Sequence, residues 1–158
     1  MIRILCVGKL KESYLRAASA EYEKRIGGFD RIGVTELDEY RLPENPSESL
    51  IEKGLQKEGV QMLSKIRPGD YVVCMCIDGK QLSSEELAHR LDSLQTAGTS
   101  SFVFAIGSSH GLSDDVVKRA DLKLSMSRMT FPHQLARVIL LEQIYRAFQI
   151  SRGGKYHK

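Results

Sequence analysis

The strongest constraint in this sequence is an alternation. Five short apolar runs of β-like composition, 2–7, 32–37, 71–77, 101–106 and 122–126, are separated by stretches of helical period. Most of the runs are continuously apolar, as strands covered on both faces require. Between them, 11–26 sets Tyr14, Leu15, Ala18 and Tyr22 on one stripe and stops at Gly27-Gly28. The segment 47–66 carries Leu50, Ile51, Leu55 and Met62 and ends before the turn signal Pro68-Gly69-Asp70. A third helix opens at Ser83, which forms a capping-box pattern with Glu86 ahead of Leu87, Leu91 and Leu94. A short fourth begins near Ser113-Asp114-Asp115. The last and longest runs from Pro132, suited to a first turn, to about Ser151. Strands alternating with helices imply right-handed crossovers and an α/β fold, a mostly parallel sheet of five to six strands with helices on both faces. Residues 43–46 form the one clear flexible connector.

Length and composition narrow the field further. A chain of 158 residues suits one domain over 1–158, and 42% hydrophobic residues suffice for a core without disulfides or metals. No apolar run approaches the roughly 18 residues of a membrane span, and residues 1–8 are too short for a signal peptide. These features argue against a membrane protein, a secreted disulfide scaffold and a disordered chain. Three cysteines, Cys6, Cys74 and Cys76, cannot close a disulfide set, and their spacing suits neither a redox pair nor a zinc knuckle. Cys74 and Cys76 fall on the same side of one strand. They read as buried, reduced thiols of a cytoplasmic protein.

The net charge of +3 conceals an asymmetry: residues 118–158 hold nine basic groups against Asp121 and Glu142. That end carries +7 on a body of −4, which suits a polyanionic partner met by one region, or a solvated helix face with a basic tail. The final helix is apolar nearly all round, through Leu135, Val138, Ile139, Leu140, Leu141, Ile144, Tyr145, Ala147, Phe148 and Ile150. The sheet covers one side of such a helix, so a homodimer interface is the preferred expectation over burial within the monomer.

No phosphate loop, nucleophile elbow or His-Glu-x-x-His helix is present, and the four histidines show no short-range metal-ligand spacing. Two loops at strand ends are more informative, because ligands of open α/β sheets lie at the carboxyl ends of strands. One is Gly107-Ser108-Ser109-His110-Gly111-Leu112. The other, 125–132, offers Met126, Met129 and Phe131 as apolar walls with free backbone groups for an adenine-like ring. His133 and Arg137 follow on one helix face at i,i+4 spacing. The terminal Arg152-Gly153-Gly154-Lys155-Tyr156-His157-Lys158 is either a frayed end or a hinge bearing groups that grip a nucleotide.

The two loops, with Arg137-Val138, Glu142-Gln143-Ile144-Tyr145-Arg146-Ala147 and Tyr156-His157, closely resemble the ribosomal RNA large subunit methyltransferase H family of the SPOUT class. Val7-Gly8-Lys9, Glu21-Tyr22 and Lys57-Glu58-Gly59 extend the resemblance over nearly the whole chain. It implies S-adenosylmethionine as methyl donor with no metal, and N3 of a pseudouridine in large-subunit (23S) ribosomal RNA as acceptor. It further implies a C-terminal trefoil knot, which generic threading rules exclude, and a homodimer whose active site draws on both subunits. By position, the cofactor pocket would take Met75, Gly107 and the run Met126-Ser127-Arg128-Met129-Thr130-Phe131. His157, Tyr156, Arg137 and His133 would serve the chemistry, His157 as base or charge-stabilising donor. Ser108 replaces a second glycine common in the family, and Met75 stands where relatives carry Leu. Two other readings remain: a related SPOUT enzyme acting on tRNA, for which an RNA-gripping extension would be needed, and a non-catalytic RNA- or ribosome-binding module.

Overall fold

The computed structural model describes residues 1–158, and its sheet follows from how apolar side chains alternate along parallel strands. The five strands are β1 (Ile2–Val7), β2 (Ile32–Leu37), β3 (Tyr71–Gln81), β4 (Phe102–Ile106) and β5 (Leu122–Ser125). All pair in parallel, in the order β2-β1-β4-β3-β5. The register places Val34, Ile4, Phe104, Val73 and Leu122 side by side across all five strands. Such a row points to one face, while Leu5, Val103 and Val72 point to the other. Each face meets helices, so alternate residues are all apolar and the strands read as continuous runs.

One face carries α1 (Ser13–Gly27), α3 (Ser84–Thr96) and α5 (His133–Ser151), whose Ile26, Leu87, Leu91, Leu141 and Ile144 pack on Ile2, Ile4, Phe102 and Phe104. The other carries α2 (Glu48–Leu63) and α4 (Asp114–Arg119), with Met62 and Val116 on Leu5, Val72 and Val103. Ser47, Ser83 and Ser113 cap their helices with side-chain hydrogen bonds, and the Ser83–Glu86 capping box is complete. Pro132 lies outside the first turn of α5, as its N-cap, with an extended ψ of 136°.

Helix α5 runs between α1 and α3, which cover part of its apolar girth: Leu140, Leu141, Ile144 and Ala147 are buried, Tyr145 and Phe148 pack against Tyr22 and Phe29, Val138, Ile139 and Ile150 stay half-buried, and Leu135 is exposed. Flanking helices, and not the sheet alone, supply this cover. In α2 the buried stripe is Gly54, Glu58, Gly59 and Met62, while Leu50 is exposed. The two glycines allow the close approach: the Tyr40 ring lies against Gly54, and the Ser113 hydroxyl occupies the space of a Gly59 side chain. Tyr14 of α1 likewise faces solvent.

Strand β3 also extends past 77. Leu124 of β5 pairs with both Met75 and Lys80, so the intervening residues bulge out of the sheet. Gly79 makes this possible, since a Cβ there would come within 2.8 Å of the backbone carbonyl carbons of Lys123 and Leu124.

Strand order and helix side together decide where the crevices open. From β1 and β3 the chain passes to α1 and α3 on one face, whereas between them β4 sends its chain to α4 on the opposite face. Neighbouring strands whose connections diverge leave a crevice at their carboxyl ends. The loop after β4 is therefore flanked by two crevices.

Candidate active site

The loop after β4 is shaped by its glycines. A side chain on Gly107 would collide with the Gly111 carbonyl, and Gly111 itself takes a φ of +89°. Ser108 and Gly111 face each other as an isolated bridge closed by the Gly111 amide donating to the Ser108 carbonyl at 2.9 Å. The Ser108 hydroxyl donates to Glu58 Oε2 at 3.0 Å, and Oε1 of the same carboxylate accepts from the Tyr40 amide at 3.0 Å. Glu58 is 5% exposed, and burial raises its carboxyl pKa above the ordinary value against these two hydrogen bonds.

The loop after β5 folds on its serines. Ser125 Oγ donates to the Ser127 carbonyl at 2.9 Å, and Ser127 Oγ accepts from the Met129 amide at 3.0 Å. Between the two loops, over the carboxyl ends of β3, β4 and β5, lies a cavity of about 570 Å³. That volume is within the roughly 300–1,000 Å³ of small-ligand sites. Met75, Ile106 and Leu124 form apolar parts of its wall, with Gly107 on one side and Met126, Met129 and Phe131 on another. Its rim is open and apolar: Ile77 is 60% exposed and Met129 75%.

Of the residues singled out in the sequence, Met75, Gly107, Met126, Ser127, Met129, Thr130, Phe131 and His133 are brought together here. Arg128 is not; it is exposed and does not line the cavity. Arg137 lies outside the cavity wall. Its guanidinium is buried, donating to Glu36 Oε1 at 2.6 Å and to the Gly8 carbonyl at 2.9 Å, with Nε unpartnered. One helical turn beyond His133, it clamps α5 to the ends of β1 and β2.

Tyr156 and His157 lie elsewhere again. The tail doubles back along α5, where the Tyr156 hydroxyl donates to Glu142 at 3.2 Å and its ring lies under Arg146 at 4.7 Å. His157 Nε2 sits 2.7 Å from Glu85 and Nδ1 3.3 Å from Arg146. Glu142 is nine residues along the helix from His133, about 14 Å at 1.5 Å per residue. Partial burial, with Tyr22 and Glu142 nearby, pushes the Tyr156 phenol up to about 12, so it remains a donor. Glu85 is held down at about 2, first by a backbone hydrogen bond and then by His157.

Sequence reasoning missed Glu58 as a site residue, together with Cys76 and Ile77 in the cavity wall. The signal for Glu58 was an acid standing between Gly54 and Met62 at i,i+4 steps, on what proves to be the buried stripe. Cys6 and Cys74 are buried thiols pushed up to about 12 by burial, and Cys76, on the same face as Cys74, is raised as well. Desolvation of this kind makes them poor nucleophiles. No three His, Cys, Asp or Glu side chains converge as a metal site would require, and no helix is long and apolar enough to cross a membrane.

An open parallel sheet with an apolar cavity between two loops at its carboxyl edge is the architecture in which α/β domains place small-ligand sites. The family model described as a predicted SPOUT methyltransferase matches residues 1–157, and the chain belongs to that family. Solved structures agree on the fold. A probable methylase family protein from Haemophilus influenzae Rd KW20 matches with a TM-score of 0.53 at 14% identity, over 99% of this chain and 70% of that one. The A. aeolicus TrmH/SpoU tRNA modifying enzyme matches at 0.54 and 15%, over 96% and 77%. A probable methyltransferase from Bordetella pertussis Tohama I matches at 0.56 and 11%, over 93% and 95%. The protein is a methyltransferase.

Proposed function

We propose that the chain binds S-adenosylmethionine in the cavity beside Gly107 and methylates N3 of a pseudouridine in large-subunit ribosomal RNA, acting as a homodimer with a C-terminal knot. The observation that carries this reading is the convergence on one cavity of Met75, Gly107 and the loop after β5, the positions that the family resemblance assigns to the donor. The residues fit the group. Gly107 and Gly111 keep side chains away from the loop backbone, and Met126, Met129 and Phe131 offer apolar surface to an adenine. When bound, S-adenosylmethionine supplies an electrophilic methyl on a cationic sulfur.

The chain's own work is then orientation and proton management. N3 of the base carries a proton and is a poor nucleophile until that proton leaves, so a group must accept it or stabilise the charge left on the flanking carbonyls. His133 stands in the cavity wall at the start of α5. Tyr156 and His157 lie too far along their own α5 to reach this cavity, and in a dimer they would serve the cavity of a second copy. There His157 takes the proton and Tyr156, a phenol at neutral pH, orients the ring. Arg128, exposed on the loop after β5, suits the RNA phosphates. Exposed apolar groups at the same end, Ile77, Met129, Phe131 and Leu135, support a second copy docking there. Reduced thiols and a ribosomal substrate both belong to the cytoplasm.

Mass spectrometry of large-subunit ribosomal RNA, before and after incubation with the protein and S-adenosylmethionine, tests the reading. A gain of one methyl on a pseudouridine is expected. A methyl on tRNA alone would assign the related activity, and failure to bind S-adenosylmethionine in calorimetry would favour a non-catalytic RNA-binding module.

A further inference from the structure

The β4 loop has a crevice on each side, and the donor reading uses only the one over β3 and β5. The other opens over the carboxyl ends of β1 and β2 and is the larger of the two, about 850 Å³. Resting on the function proposed above, we infer that this second crevice seats a nucleotide of the same RNA strand, next to the one whose base is methylated.

Topology provides the first support. The divergence of connections at β1 and β4 creates a ligand crevice by the same rule as the divergence at β4 and β3. Contact between the two is the second. Ser108 and Ser109 line both cavities, and a side chain on Gly8 would lie 3.8 Å from His133 Nε2 and 3.4 Å from Glu39 Oε2. A strand crossing the loop would therefore lie in both crevices at once. Gly8, with a φ of +85°, turns the chain sharply after β1 and brings Lys9 to the mouth.

Chemistry is the third support. Lys9, Lys11 and Arg41 stand around the cavity, and none of them takes part in an ion pair. Asp38 and Glu39 face it from the loop after β2, also without ion pairs, while Tyr40, Leu42, Ile51 and Leu55 give an apolar shelf. A simple polyanion would be repelled by the carboxylates. A nucleotide suits both signs, with phosphate oxygens accepting from the three cations and ribose hydroxyls or base amino groups donating to the acids. Glu58 ties the two crevices together beneath, holding Tyr40 on one side and Ser108 on the other.

The test uses the full-length protein in two arms. In the first, ¹H–¹⁵N spectra are recorded with uridine 5′-monophosphate added to the protein saturated with S-adenosylmethionine. Shifts at Gly8, Lys9, Tyr40 and Arg41 are expected; their absence, or shifts confined to residues 126–131, would overturn the inference. In the second, the Lys9→Glu/Arg41→Glu variant is assayed on large ribosomal subunits. Its KM for the ribosomal substrate should rise at least tenfold, with the loss falling on KM and not on kcat and with S-adenosylmethionine affinity held in calorimetry. Lys9→Arg/Arg41→Lys should restore most of it. An unaltered KM would overturn the inference while leaving the proposed function standing. Loss of the dimer in the charge-reversed variant would assign the crevice to a second copy and overturn it too. Wild-type protein that fails to methylate any ribosomal RNA would instead count against the function, and the nucleotide titration would still decide the crevice.

Discussion

Gly107 is where the loop after β4 has least freedom. A methyl group there meets the Gly111 carbonyl, so Gly107→Ala must displace the loop that walls both crevices. Affinity for S-adenosylmethionine should fall at least tenfold in calorimetry, with a loss of about 1–3 kcal/mol in denaturant unfolding. Glu58 predicts a pH effect whose sign follows from its raised folded-state pKa. Its contribution is fully present below the ordinary carboxyl value and is lost as the pH rises through the raised value, because ionisation is then opposed by burial. Glu58→Gln keeps an acceptor for the Tyr40 amide and a partner for Ser108. The variant should therefore gain on wild type in unfolding titrations at neutral pH, and the gain should vanish in acid. Arg137 predicts the reverse kind of effect. Glu36→Ala leaves its buried guanidinium with only the Gly8 carbonyl, which should cost about 2–4 kcal/mol by thermal unfolding. In the sequence, Arg137 stood at the right spacing from His133 to look chemical. Helix periodicity sets which residues share a face but not what that face meets, and here it meets Glu36.

Among the elements, the capped helices and four of the strands were legible because their signals are local: a serine before an acidic turn, an apolar run between turn residues. Strand β3 was not. The apolar run ends at 77, yet the chain rejoins β5 at Lys80, whose partner Leu124 lies 44 residues further on. Gly79→Ala should force β3 and β5 apart where their backbones touch. An unfolding loss of about 2 kcal/mol or more is expected, together with weaker S-adenosylmethionine binding, since β5 leads directly into the loop 126–131. Helix α2 was read only in part, with Met62 buried as expected but Leu50 exposed, for a related reason. Leucines at helical spacing suggested its inner face, but glycines let Tyr40 and Ser113 approach closely enough to select another.

For the whole molecule, the decisive separation is between the tail and the cavity. Tyr156 and His157 are secured to Glu142, Arg146 and Glu85 along their own α5. Deleting residues 156–158 should abolish methylation while leaving S-adenosylmethionine affinity within about twofold and the proposed dimer intact by light scattering; full turnover by the truncated chain would remove the tail from the mechanism. The sequence by itself determined the α/β class, the order of its elements and the two loops that carry the site, because continuous apolar runs, helix caps and turn glycines act over a few residues. Only the tertiary structure decided the rest: the strand order that opens a crevice on each side of β4, the burial of α5 between α1 and α3, and the pairing of Arg137 with Glu36. These depend on contacts between residues 101 and more positions apart, whose energy lies in packing and desolvation that no local pattern encodes.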